Sequence, residues 1–211
     1  MKFSPAKENI LKKIRQALST SVPVPFPQSE GNHSVFKQSE EDLEVKFAEE
    51  FSKLQGKFVY CANEKEAVQN LIGLAEAKQW KNIYCREKWL KEMIIKNGFT
   101  HFSEQDLAEA AAGITSCEFL IARTGTIVMS SAQESGRTVS VYAPVHVCFA
   151  TIDQLVYDIK DGLQLLREKY AGHLPSLITF ATGPSRTADI EKTLVVGVHG
   201  PKEVYCFLID K

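Results

Sequence analysis

The residues best suited to chemistry lie near the C-terminus, in Thr182-Gly183-Pro184-Ser185-Arg186-Thr187-Ala188-Asp189-Ile190-Glu191, closing at Val198-His199-Gly200-Pro201-Lys202. Leu177-Ile178-Thr179-Phe180-Ala181 precedes them and reads as a short buried strand. Gly183-Pro184 then breaks the chain. Ser185 and Thr187 suit an N-cap, and Asp189 and Glu191 suit the first turn of a helix. A strand, a polar loop and a helix start would aim free backbone N–H groups at one point, where an anion can sit. Arg186 adds a planar, two-pronged donor for a carboxylate or phosphate. The alternative is structural: Ser185 or Thr187 caps the helix, Arg186 pairs with Asp189, and the acids already compensate the helix end.

Two more polar turns carry candidates. Arg123-Thr124-Gly125-Thr126 separates two apolar runs, and Pro144-Val145-His146 opens another. Ligands of open α/β sheets lie beyond the carboxyl ends of the strands. The expectation is that these turns, Thr182 to Thr187 and His199-Gly200 converge on one such cleft. Each residue has a structural alternative. His146 opens an apolar strand, as a hydrogen-bonded core histidine would. His199 fixes a turn or reaches a ligand. Gly125 and Gly200 are expected at positive φ. Arg137 is a solvated turn residue or an anion contact. Glu118 and Glu134 are the carboxylates near the central turns, and a charged residue beside a turn is normally solvated.

The positioning elements follow from periodicity. Residues 5–18 carry Ile10, Leu11, Ile14, Ala17 and Leu18 at helical spacing, a surface helix with one apolar stripe. Val22-Pro23-Val24-Pro25-Phe26-Pro27 cannot continue it and starts a linker. The domain division is therefore 1–34, helix and Pro-rich linker, and 35–211, one globular domain. From residue 40 to Gly98, helices and strands alternate, which implies a mainly parallel sheet with helices on both faces. The pattern changes at Cys117. Strands are expected over 117–122, 126–130, 138–142 and 146–150, a helix over 152–170, and a last buried strand over 204–209. The fold class is α/β, three-layer, with a run of consecutive hairpin strands inserted into the alternation.

Bulk properties exclude several classes. The chain has 211 residues, is 44% hydrophobic and 24% charged, and carries a net charge of -1. That is enough for a full core and gives no global field to hold nucleic acid. No segment approaches the ~18–20 apolar residues of a membrane span, and the N-terminus lacks a signal-peptide apolar run. The five cysteines have neither disulfide-framework nor metal-site spacing. Cys61, Cys85, Cys148 and Cys206 stand in apolar runs and read as core, and Cys117 is the least surely buried. No metal is expected, and the location expected is the cytoplasm with reduced thiols.

The Gly183 to Glu191 run, together with Gly197-Val198-His199-Gly200-Pro201-Lys202, resembles the C-terminal signature of the LUD-domain family. Gly113-Ile114-Thr115-Ser116-Cys117-Glu118-Phe119-Leu120-Ile121-Ala122 with Thr124-Gly125-Thr126-Ile127-Val128 is similar to its middle motif, and Pro144-Val145-His146 to its proline–histidine element. The likeness covers about residues 110–210 well. One departure is Arg123, where the family more often has an acidic residue. The resemblance implies a fold of the sugar-phosphate isomerase and CoA-transferase group. It also implies an accessory role in a cytoplasmic complex that oxidises L-lactate to pyruvate. The iron–sulfur clusters would sit in partner subunits, with no cofactor in this chain and no turnover by this chain alone. A CoA-transferase-like mechanism needs a glutamate nucleophile, so a stand-alone enzyme acting on a phosphorylated or thioester substrate is the alternative.

Overall fold

A computed structural model describes residues 5–19, 41–103, 107–187 and 195–210. Residues 1–38 and 39–211 form two compact units. The first contains α1 (Pro5–Leu18), whose stripe of Ile10, Leu11, Ile14 and Leu18 is exposed. The expected division at residue 34 lies outside the described residues.

In the second unit the alternation appears as expected: α2 (Leu43–Lys53), β1 (Lys57–Cys61), α3 (Glu64–Ala77), β2 (Ile83–Cys85) and α4 (Lys88–Lys96). Local chemistry sets the boundaries. Asn63 Oδ1 accepts the Glu66 N–H, and Glu66 reaches back to the Ala62 N–H, so the start of α3 is closed on itself. Ala67, Val68, Leu71 and Ala75 form its buried face. Gly98, at φ 109°, stops the chain after α4.

Five parallel strands make the main sheet. β3 (Ala112–Thr115), β6 (Val145–Thr151) and β11 (Glu203–Ile209) join β1 and β2 in the order β1-β11-β6-β3-β2. The inserted run becomes a second sheet. β4 (Phe119–Ile121), β5 (Thr126–Ser130), β7 (Leu155–Val156) and β8 (Ile178–Ala181) take the order β7-β4-β5-β8. β5 is antiparallel to β4 and β8, while β7 runs parallel to β4. Three cores follow. Leu71, Leu90, Ile114 and Phe207 fill the space between the parallel sheet, α3 and α4. Phe47, Phe51, Leu120, Ile127, Cys148 and Cys206 fill the layer bounded by the two sheets and α2. Ile121, Val128 and Leu166 join the second sheet to α6 (Ile159–Lys169). The fold is α/β with a mainly parallel central sheet flanked by helices, and the hairpin strands add a stacked sheet to one side.

Several local expectations are corrected. Residues 139–142 form a short helix, α5 (Val139–Tyr142), not a strand. Val141 and Tyr142 remain exposed, so their β propensity has no sheet to serve. The expected helix 152–170 begins as a 3-10 turn at Ile152–Gln154 and strand β7. α6 starts only at Ile159, where Asp158 provides the cap. β8 is an edge strand with Phe180 40% exposed, not a buried one, because it pairs only with β5. No helix starts at Ser185, and a helix beginning after Thr187 would lie outside the described residues. Arg186–Thr187 is strand β9, antiparallel to β10 (Val195–Val196). Asp189 and Glu191 lie outside the described residues. β3 went unread because its four residues include a glycine.

Gly125 fixes how α2 meets the second sheet. It ends the 3-10 turn Ala122–Thr124 at φ 58°, and a Cβ there would lie 2.3 Å from the Phe51 backbone nitrogen. Both the left-handed conformation and the close approach require glycine. Gly125→Ala is expected to cost roughly 2–4 kcal/mol in urea unfolding. Gly73→Ala, at an open helical position in α3, is expected to stabilise by about 0.5–1 kcal/mol. Equal effects at the two positions would contradict this account.

Candidate functional site

The expected residues fall into two groups, joined by the 182–185 stretch, and not into one cleft. The first is a line of hydroxyls: Thr126 Oγ1 lies 2.7 Å from Thr124 Oγ1 and 2.9 Å from Thr182 Oγ1. β5 carries Thr126, and the end of β8 brings Thr182 beside it. Gly183 follows at φ 76°, and a Cβ there would lie 2.5 Å from the Leu54 carbonyl oxygen at the end of α2. Arg186 donates to that same carbonyl through its terminal nitrogen, while its buried Nε has no partner. The guanidinium therefore braces the end of α2.

The second group is held by backbone. Ser185 N donates to Pro201 O at 2.9 Å, and Gly197 N donates to Ser185 O at 2.9 Å. Lys202 N donates to Pro144 O at 2.8 Å. Gly200 is not at positive φ, contrary to expectation. Its requirement is space: a Cβ there would lie 2.8 Å from Ser185 Cβ. Pro144 and the 197–202 loop sit at the amino ends of β6 and β11, not beyond the carboxyl ends. The Ser185 amide offered to an anion in the sequence reading is already bonded. Thr187 lies in β9 and also has a bonding partner.

His146 stays out of both groups. It is 1% exposed and its Nε2 lies 2.8 Å from Thr115 Oγ1 on the neighbouring strand. Burial lowers its pKa to about 4, so the ring is neutral. It is a core histidine. Arg123 donates from Nε to Asp158 Oδ2 at 2.6 Å, the same residue that caps α6. Arg137 donates to Ser176 Oγ.

A buried polar network among the described residues is not legible in the sequence. Glu118, expected to be solvated, has a fully buried carboxylate. Oε1 accepts from Ser130 Oγ at 2.6 Å and Tyr170 OH at 2.7 Å, and Oε2 accepts from Lys169 Nζ at 2.6 Å. Burial pushes its pKa up, but Lys169, Ser130 and Tyr170 outweigh burial and hold it below the usual carboxylate range. Ser130 N donates to Gln133 Oε1, and Gln133 Nε2 donates to Ser116 Oγ, both at 2.9 Å. Ser116 in turn donates both its N–H and its hydroxyl to Glu87, a residue 2% exposed. One connected network thus runs from Glu87 at the end of β2 to Lys169 at the end of α6. Both oxygens of Glu118 are engaged, and the carboxylate is shielded from solvent. Glu134 caps α4 by accepting the Lys88 N–H at 2.7 Å.

All five cysteines are buried, including Cys117. Hydrogen bonding to Cys148 and burial push the Cys117 thiol well above its usual range, and burial pushes Cys85 up to about 12. Thiolate chemistry is thereby disfavoured. Among the described residues, no group of three or more His, Cys, Asp or Glu side chains is placed to hold a metal ion. No described helix is long and apolar enough to cross a membrane.

An α/β protein with two stacked sheets and glycine-pinned polar loops at their ends is thus defined. The family model described as LUD domain matches residues 45–209, and the chain belongs to the LUD-domain family. Among its relatives are proteins named lactate utilization protein C. That of Anoxybacillus flavithermus is 39% identical over 103 residues, 48% of this chain and 46% of the relative. That of Bacillus subtilis is 37% identical over 106 residues, 49% and 44% respectively. That of a Geobacillus species is 41% identical over 110 residues, 50% and 46%. The aligned stretch thus spans about half the length of the curated relatives. A crystal structure of a DUF162 family protein from Deinococcus radiodurans superposes with a TM-score of 0.58 at 17% identity, over 82% of this chain and 99% of that one. That likeness concerns the fold.

The neutral core histidine makes stability depend on pH. Its folded pKa, about 4, lies below the unfolded value near 6.5, so the unfolded chain binds the proton first. Stability from this group is complete above pH 6.5, falls as pH drops, and levels off near pH 4. The expected slope is at most roughly 1.4 kcal/mol per pH unit. His146→Asn should flatten urea-unfolding free energies across that window, and an unchanged slope would count against a neutral His146.

Proposed function

We propose that the chain is an accessory subunit in lactate utilization, working beside iron–sulfur proteins that oxidise L-lactate to pyruvate in the cytoplasm. The observation that carries this reading is the 36–41% identity to proteins named lactate utilization protein C. The construction of the sites supports a non-catalytic role. The buried carboxylate within the family's middle motif, Glu118, is held ionised by three partners. A transferase nucleophile needs an oxygen free for attack. The hydroxyl line Thr124–Thr126–Thr182 and the Ser185–Gly200 loop contact then serve to hold a small anionic ligand or a partner. The electron-carrying clusters belong to the sister subunits, and no cofactor is resident in this chain.

Deletion of the gene is expected to abolish growth on L-lactate and spare growth on other carbon sources. The natively expressed protein should co-purify with iron-containing subunits. Full growth of the deletion strain on L-lactate, with the protein always isolated alone, would overturn the proposal.

A further inference from the structure

We infer that the cavity between Tyr142 and Lys202, at the amino ends of β6 and β11, binds a small organic monocarboxylate. It has a volume of about 460 Å³ and is walled by α5 on one side and the 197–202 loop on the other. Its polar side chains belong to Tyr142, His199 and Lys202, and among the described residues no Asp or Glu lines it. Among the described residues, three other cavities carry acids: Glu76 beside Lys81 and His101 in one, and, at the carboxyl ends of β6 and β11, Glu64 with Asp153 in a second and Glu64 beside Lys65 in a third. At that carboxyl end the Thr151 and Gln154 side chains are also consumed, bonding to each other and to Cys117 O. Among the described residues, Lys57 and Lys78 are both paired with Glu203, whereas Lys202 pairs with no carboxylate. Among the described residues, an anion in this cavity therefore meets the Lys202 charge with no acid opposing it.

The walls select within anions. Val141 and Val198, 39% and 47% exposed, present aliphatic surface beside the charge. Inorganic phosphate has nothing to place there, whereas a two- or three-carbon carboxylate does. A 2-hydroxy or 2-oxo oxygen beside the carboxylate would find Tyr142 and His199, which can donate or accept. The loop is held before any ligand arrives. Three backbone hydrogen bonds tie it down, two to Ser185 and one to Pro144. Gly197, at φ 78°, lacks a Cβ where the Lys202 stem passes, 2.1 Å from the position that atom would take. Less ordering entropy is then lost on binding. This site names a ligand class for the role proposed above and rests on that reading.

The test is calorimetric titration of the full chain with L-lactate, pyruvate and inorganic phosphate, paired with growth complementation. Saturable binding of L-lactate or pyruvate is expected, weakened at least tenfold in Lys202→Gln and several-fold in Tyr142→Phe. Phosphate should not displace the bound carboxylate. Glu64→Gln, at the other end of the sheet, should bind as the wild type does. Lys202 is exposed, and an unchanged melting temperature shows that its variant is folded. No saturable carboxylate binding, binding indifferent to Lys202→Gln, or equal competition by phosphate would each overturn the inference. If Lys202→Gln restores lactate growth to a deletion strain that needs the gene, the cavity assignment fails while the accessory role stands.

Discussion

β6 and β11 lie at the centre of the parallel sheet and are buried on both faces, and the rest of the domain is arranged to keep them so. A strand with no solvent side must be apolar throughout and must leave no polar group unbonded. Val147 and Phe149 of β6 face the α3/α4 core, while Cys148 and Ala150 face the second sheet. The rings of Phe149 and Phe207 stack across the two strands, with centroids 5.2 Å apart. The small thiols Cys148 and Cys206 stand opposite each other in register. They let the second sheet approach. His146 enters this layer only as a neutral ring bonded to Thr115.

From that dry layer the architecture of the ends follows. The second sheet covers the inner face only if α2 closes its side, and α2 docks through Phe47 and Phe51. Gly125, Gly183 and Arg186 all make their close approaches at the end of α2, around Phe51 and Leu54. Residues that resembled an anion cradle are thus largely occupied in clamping a helix. The Thr124–Thr126–Thr182 line borders this clamp, and Thr182 is exposed at its rim.

The buried network from Glu87 to Lys169 solves a different problem. Strands β3 and β5 end in hydroxyl residues, Thr115-Ser116 and Ser130-Ser131, where burial continues past the last apolar residue. Each hydroxyl and amide there needs a partner, and two carboxylates supply most of them. Lys169, half exposed, carries the compensating charge to the surface.

Local pattern was enough for the alternating half of the chain: the α2 to α4 alternation, the buried cysteines, the stop at Gly98 and the need for glycine at residue 125. These depend on periodicity and on backbone sterics, which act over a few residues. Local pattern failed where an element's state depends on what lies over it. Val139–Tyr142 has strand-like residues but no open ladder to join, and β8 is apolar yet forms an edge. Glu118 reads as solvated because its partners are 12, 51 and 52 residues away. The family signature drew attention to the 182–187 and 197–202 loops. Their placement at the amino ends, with the Ser185 amide bonded and Lys202 unpaired, was decided only when β6 and β11 came together. Pairing of distant strands, not sequence spacing, chooses which loops become neighbours.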